Sequence, residues 1–325
     1  MLLVLIAPHE FGHFLVAKLC NVQVNEFSVG MGPLLFKKQK GETQYSLRLI
    51  PVGGYCAMEG EDEASDNPRA FNRQGPWKRI AILIAGVTMN ILIAILACTI
   101  AIQISGVPTT RIASVTDGSP AAEAGIQAGD RIVRIESTDI DSWNQVPETI
   151  SAYDGEGKME IVIRRDGSEK SVFLVPEYNE ERESYSIGVV SYCTKNPFTC
   201  IGYGAQTAWN LNKLMLQSFG MIFRGEISTD DVAGPVGLVK VVDQTASIGA
   251  SSYLLLLALV SLNLALVNLI PIPGLDGGKI LFVILKAISR GKVTDEMEFK
   301  ATMVGLAIIL MLFVLITIND VRNLL

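Results

Sequence analysis

The sequence predicts a polytopic α-helical membrane protein of about four transmembrane helices, with a membrane-associated β-hairpin and one β-rich extracytoplasmic domain. Three observations predict it. The 325-residue chain is 49% hydrophobic with a mean hydropathy of +0.36, yet 18% of it is charged. That is too apolar for an ordinary soluble enzyme and too charged to lie in lipid throughout. The apolar residues gather in four stretches, 1–19, 80–104, 252–275 and 301–318. Between them, 41–58 and 106–190 carry the patterning of strands and turns.

The first stretch holds His9-Glu10-Phe11-Gly12-His13. On a helix, H-E-x-x-H sets two imidazoles one turn apart on one face, at a spacing that a single zinc ion bridges. Ionisable groups at mid-bilayer cost roughly 2.5–3.5 kcal/mol on insertion scales, so His and Glu in such a setting are functional candidates by default. In 80–104 the only polar members are Thr88, Asn90, Thr99 and Gln103, which is ample for a span.

In 41–58, Tyr45, Leu47 and Leu49 alternate with Gln44, Ser46 and Arg48, the period of a strand. A sheet edge inside a bilayer must face protein or water. This hairpin therefore lines the catalytic cavity or lies at the interface; the alternative is a cytoplasmic hairpin that merely covers the catalytic face. In 106–190, Gly118-Ser-Pro-Ala-Ala-Glu-Ala-Gly125 and Gly129-Asp130 read as turn, short helix and turn before a strand. Further strands follow at 158–164 and 171–175. Residues 197–224 form a weakly amphipathic helix, suited to the outer membrane face or to packing on the spans.

Charge sets the expected topology. Residues 20–79 hold eight Lys/Arg, and Lys286, Arg290, Lys292 and Lys300 lie between the last two stretches, whereas 105–200 has sixteen Asp/Glu against nine Lys/Arg. The positive-inside rule places 20–79 and 285–300 in the cytoplasm and the acidic domain outside. A net charge of −6 without a basic stripe argues against a nucleic-acid partner. Five cysteines without a C-x-x-C pair read as free thiols, with Cys193–Cys200 the only plausible bridge. No basic start precedes 1–7, so a cleavable signal peptide is not expected.

Two histidines are the whole complement, so a metal site needs a carboxylate. The oddest is Asp276, at the end of the apolar run Val267-Asn268-Leu-Ile-Pro271-Ile-Pro273-Gly-Leu-Asp276-Gly277-Gly278. It is either a ligand presented by a bent chain or the cap of a helix over 277–289. The in-membrane H-E-x-x-H favours the ligand.

These motifs resemble the site-2 protease family of intramembrane zinc metalloproteases, in its bacterial single-PDZ form. The resemblance spans nearly the whole chain: His9-Glu-Phe-Gly-His13, Asn25-Glu-Phe-Ser-Val-Gly-Met-Gly-Pro33, Leu49-Ile-Pro-Val-Gly-Gly54, Asp66-Asn-Pro-Arg-Ala-Phe71, Gly234-Pro-Val-Gly237 and Asn268-x-x-Pro271 with Asp276-Gly277. It implies a zinc metalloendopeptidase with His9, His13 and Asp276 as Zn2+ ligands, Glu10 as general base and Asn268 positioning the substrate backbone. The implied substrates are single-span membrane proteins, such as anti-sigma factors or remnant signal peptides, trimmed first by an upstream site-1 protease. The implied location is the bacterial inner membrane, with the bilayer itself as a partner.

An unwound substrate could add to strand 44–49, beside Tyr45 and Leu47. In the PDZ domain, Ile187, Gly188 and Val189 match the peptide-carboxylate loop of the permuted bacterial type, a filter acting by size or by gripping a new C-terminus. The domains divide as 1–104, the first two spans with the hairpin; 105–192, the PDZ domain; 193–249, an amphipathic helical linker; and 250–325, the last two spans.

Three features depart from the family pattern. Only eight residues precede His9, roughly half a span fewer than in relatives. Pro8 adjoins the first ligand, which suits a helix starting close to it. Ala85-Gly86-Val87 lacks the proline that normally follows the glycine. The competing function is a catalytically impaired, membrane-anchored PDZ peptide-binding module; a metal transporter has no use for the PDZ domain or Glu10.

Overall fold

The computed structural model describes residues 1–325 except 62, 64, 181–182, 227–233, 290–291 and 325. The chain divides into two compact units, Met1–Ala101 with Gly204–Leu325, and Ile102–Tyr203.

In the first unit, α1 (Leu2–Leu19) leads into the long strands β1 (Val24–Lys40) and β2 (Thr43–Met58), then α2 (Pro76–Ser105). The helix α1 does not start near Pro8 but six residues earlier, and runs through it. Proline has no N–H to offer the carbonyl of Val4, so one helical bond is forgone within the helix interior.

The hairpin is larger than its alternation advertised, and its topology overturns one expectation. Both strands bend, β1 about Gly30 and Gly32 and β2 about Gly53, all at φ between +80° and +85°, where an L side chain is strained. Folding back puts 44–47 between two partners: Tyr45 pairs with both Phe27 and Lys38, and Leu47 with both Val29 and Phe36. Residues 44–47 are therefore an interior segment with no edge to lend a substrate. A network ties three segments together, since Glu26 accepts from Ser46 Oγ (2.5 Å) and Arg48 (2.9 Å), and Arg48 also donates to Tyr55 Oη (2.7 Å). Beyond it, Met31, Leu34, Leu35, Phe36, Leu49 and Ile50 are exposed, an apolar surface suited to lipid.

The second unit is a β-rich domain. Its elements are β3 (Val107–Val115), α3 (Pro120–Glu123), β4 (Arg131–Ile135), β5 (Thr138–Asp139), α4 (Gln145–Ser151), β6 (Met159–Arg165), β7 (Ser168–Leu174), β8 (Glu177–Asn179), β9 (Ser184–Ser186) and β10 (Val189–Thr194). The main sheet runs β10-β3-β4-β6-β7, with β5 beside β4. Its core joins Ile112, Ile132, Ile135, Ile161 and Ile163 to Val146 and Ile150 of α4.

The chain then returns to the first unit through α5 (Pro197–Phe223), α6 (Pro235–Ile248), α7 (Ala250–Leu269), α8 (Asp276–Ser289) and α9 (Asp295–Leu324). Helix α5 packs on the spans: Ala208 is buried with Ala94, Ala97 and Cys98 of α2 and Leu257 and Ala258 of α7. Asp320 of α9 accepts the N–H groups of Gly234 and Gly237, both at 2.9 Å, and so caps α6 from another helix. Among the described residues three helices are long and apolar enough to cross a membrane, in α2, α7 and α9. Helix α1 has 18 residues and carries the His-Glu-His face.

Candidate metal centre

The 3.6-residue period of α1 places His9 and His13 on one face, and both are buried. The third group arrives from the opposite end of the sequence. Helix α7 ends at Leu269, where Pro271 and Pro273 supply no backbone N–H to continue it, and the chain turns before α8 begins at Asp276. The turn is tight enough that a Cβ on Gly277 would sit 2.3 Å from the Leu269 oxygen, so only glycine fits. Asp276 is thus the first residue of α8, as the capping alternative required, but its carboxylate points at the histidines.

The three candidate donor atoms form a nearly equilateral triangle. His9 Nε2 lies 3.2 Å from His13 Nε2 and 3.2 Å from Asp276 Oδ2, and His13 Nε2 lies 3.3 Å from that same oxygen. Donors about 2.0–2.1 Å from a tetrahedral zinc stand about 3.3–3.4 Å apart, so the spacing fits. The chemistry fits as well. Three electron-pair donors at this range repel one another unless a cation lies among them, and the buried Oδ2 accepts a well-formed hydrogen bond from neither ring. Among the described residues this is the one cluster of three such groups close enough to share a metal.

The rings are fixed from behind by α2. His13 Nδ1 lies 2.8 Å from the carbonyl oxygen of Ile82, which can only accept, so Nδ1 carries the proton and Nε2 keeps its lone pair. The Asn90 amide lies 3.3 Å from His9 Nδ1. Between them Gly86 has no side chain to obstruct the rings; a Cβ there would be 2.4 Å from His13 Nε2. Asn268 Nδ2 is 3.3 Å from His9 Nε2, at the margin of the triangle. Glu10 lies on α1 beside β2: its Cγ would be 3.8 Å from a Cβ on Gly54.

The other sequence-derived residues lie elsewhere. Tyr45 packs against Phe14 and Phe27, with ring centroids at 5.9 and 6.4 Å, while Leu47 is exposed. In the β-rich domain the Ile187 side chain is in the core, so only its backbone could meet a ligand. The Ile187 and Gly188 carbonyls accept from Ala121 and Thr116. Gly188 has φ +76° and stands where a Cβ would meet Ser119 at 2.3 Å. A bulky residue at 188 thus disrupts the loop itself and cannot serve as a test of peptide binding. The sequence reading missed Ile82 and the placement of Asn90; the available signal was a polar residue four positions after a glycine in an apolar span.

A membrane-helix scaffold presenting H-E-x-x-H and a distant carboxylate defines a zinc metalloendopeptidase. The sequence model of Peptidase family M50 matches residues 1–312. A Clostridium acetobutylicum chain that carries a zinc metalloprotease name is 37% identical over 98% of this chain and 94% of its own. Zinc metalloprotease RasP of Bacillus licheniformis is 27% identical, covering 97% and 96% of the two chains. The regulator of sigma-W protease RasP of Bacillus subtilis is 27% identical, covering 97% and 95%. A solved PDZ domain from Listeria monocytogenes aligns with 26% of this chain and 86% of its own, at 21% identity and a TM-score of 0.23. The chain belongs to peptidase family M50, the site-2 protease family.

Proposed function

We propose that this protein is an intramembrane endopeptidase that cuts the transmembrane segments of single-span proteins already shortened by another protease. His9, His13 and Asp276 hold the zinc, and Glu10 handles the protons. The observation that carries the reading is the convergence of two buried imidazoles and a half-buried carboxylate to within 3.3 Å. When bound, zinc supplies Lewis acidity, polarising the scissile carbonyl and lowering the pKa of a water to about 7. Glu10, next to His9 on α1, would take a proton from the attacking water and deliver it to the leaving amine. Asn268 offers an amide donor to the substrate carbonyl.

A helical substrate hides its carbonyls in its own hydrogen bonds and must unwind before it is cut. The edge that receives it is the 54–58 segment of β2, which pairs with 24–29 and runs beside Glu10 at Gly54. A photo-crosslinking side chain at Tyr55 should capture substrate better than one at Leu47; the reverse result returns the role to 44–49.

The membrane is the bacterial inner membrane, crossed four times by α1, α2, α7 and α9, with the β-rich domain as an extracytoplasmic PDZ-type filter. Its substrates are anti-sigma factors or remnant signal peptides. The test is cleavage of a pre-shortened single-span substrate in detergent, by the intact chain, by Glu10→Gln and with a zinc chelator present. Cleavage lost under both treatments establishes the reading, and cleavage that survives Glu10→Gln refutes it.

A further inference from the structure

Helix α2 supplies an anchor to each imidazole, and the two anchors differ in kind. Ile82 presents a carbonyl, which settles the proton on His13 Nδ1. Asn90 presents an amide, whose two ends are nearly equal in size but opposite in function. The side chain is wholly buried, with Nδ2 toward His9 Nδ1 at 3.3 Å and Oδ1 buried without a partner. With Nδ2 toward the ring, Nδ1 must accept and the neutral imidazole carries its proton on Nε2, the atom that faces Asp276 and His13. Turning the amide by 180° exchanges the two ends, sets Oδ1 against Nδ1 and frees the Nε2 lone pair. The Asn90 backbone is held in place by Ser261 of α7, whose Oγ donates to the Asn90 carbonyl at 2.8 Å.

We propose that Asn90 is a positioning residue for the metal centre: its Oδ1 accepts the Nδ1 proton of His9 and thereby holds His9 in the neutral tautomer that can bind zinc through Nε2. With Ile82 and Gly86 it makes a single stripe on α2, spaced by four residues, that orients both histidines and admits no side chain between them. The inference rests on the zinc assignment above and adds to it a cause for the orientation of His9. Partners that fix a ligand imidazole from its far nitrogen are typically worth about 10–100-fold in metal affinity.

Zinc affinity, measured on the full chain in detergent by competition with a chromophoric chelator, separates the outcomes. Asn90→Leu, similar in volume but unable to accept, should bind zinc about 10–100-fold more weakly. Asn90→Asp, which keeps an acceptor oxygen, should stay within about threefold of the parent, because the acceptor that fixes the ring is retained. A merely structural role predicts equal losses from both variants, and an unchanged Asn90→Leu overturns the proposal outright. A second measurement needs no variant. The chain has only two histidines, so histidine-selective 15N labelling of the zinc-free protein, with the rings neutral, reads both. Both should carry their proton on Nδ1; a proton on His9 Nε2 overturns the role of Asn90, while the zinc assignment is judged separately by the affinity measurement. A parent chain that binds no zinc defeats the metal assignment, and this inference with it.

Discussion

Two aspartates are embedded in the two units of this protein, and their surroundings could hardly differ more. Asp130 in the β-rich domain is 1% exposed and fully provided for: Arg165 donates to both its oxygens at 2.7 Å, and the Gln127 N–H to one at 2.8 Å. Burial pushes its carboxyl upward, but these hydrogen bonds and the guanidinium charge outweigh that and hold it below the usual range. Asp276 has no such donors. Its inner oxygen faces two ring nitrogens and accepts a well-formed hydrogen bond from neither. A buried carboxylate whose lone pairs are all met inside the protein is holding a fold together. One whose lone pair is aimed at other lone pairs is waiting for a cation.

Substitution at each site should break the contrast in its own way. The largest effect is expected at the metal centre. Asp276→Asn should lower bound zinc from about one per chain toward none, with cleavage lost. Glu10→Gln should keep the zinc while cleavage falls by at least about 10²–10⁴-fold, the usual worth of a positioned acid–base group. Metal analysis beside a cleavage assay distinguishes the two. Asp130→Asn removes the charge that Arg165 pairs with, leaving the guanidinium its bond to the Gly125 carbonyl, and should destabilise the β-rich domain by about 1–3 kcal/mol. Thermal unfolding followed by limited proteolysis should then show cuts confined to 102–203, with zinc content unchanged; zinc loss would mean that the two units are not energetically separate.

The smallest effect belongs to Glu42 at the hairpin tip. Hydrogen bonds from Arg69 (2.6 and 2.8 Å) and Lys18 (2.7 Å) hold its carboxyl down to about 2. In an unfolded chain such a group titrates near about 4.3. Because the folded value is the lower one, the stabilisation is complete above about 4.3 and is lost as pH falls through about 2. The group is partly exposed, so the gain is under about 1 kcal/mol. Melting curves of the parent and Glu42→Gln should differ slightly at pH 6 and coincide below pH 2.

Much of the metal centre was legible because its residues are chemically improbable where they stand. His9, Glu10 and His13 interrupt an apolar helix, and Asp276 ends a run that two prolines had already bent. The anchors behind them were harder to see. Ile82 acts through a backbone carbonyl, which every residue possesses, and Asn90 reads alone as one polar residue tolerated in a span. The hairpin shows another limit. Alternation reports which way side chains point and says nothing of how many neighbours a strand has. Alternation over 44–49 is compatible with an edge, yet 44–47 pair on both sides, with 26–29 and with 36–39. Ser186-Ile187-Gly188-Val189 has the polar-apolar-glycine-apolar pattern of a peptide-carboxylate loop, a pattern that a core-forming loop shares.

The anchoring of both rings to α2 makes that helix a ruler for the metal. Ile82 and Asn90 are two turns apart on one rigid rod, about 12 Å along its axis. An extra residue inserted between them would rotate one anchor by about 100° relative to the other. One imidazole could then stay seated only if its neighbour were released. Any event that slides or twists α2 against α1 must therefore be felt by both ligands at once, and the grip on zinc becomes a sensitive gauge of helix register in the membrane.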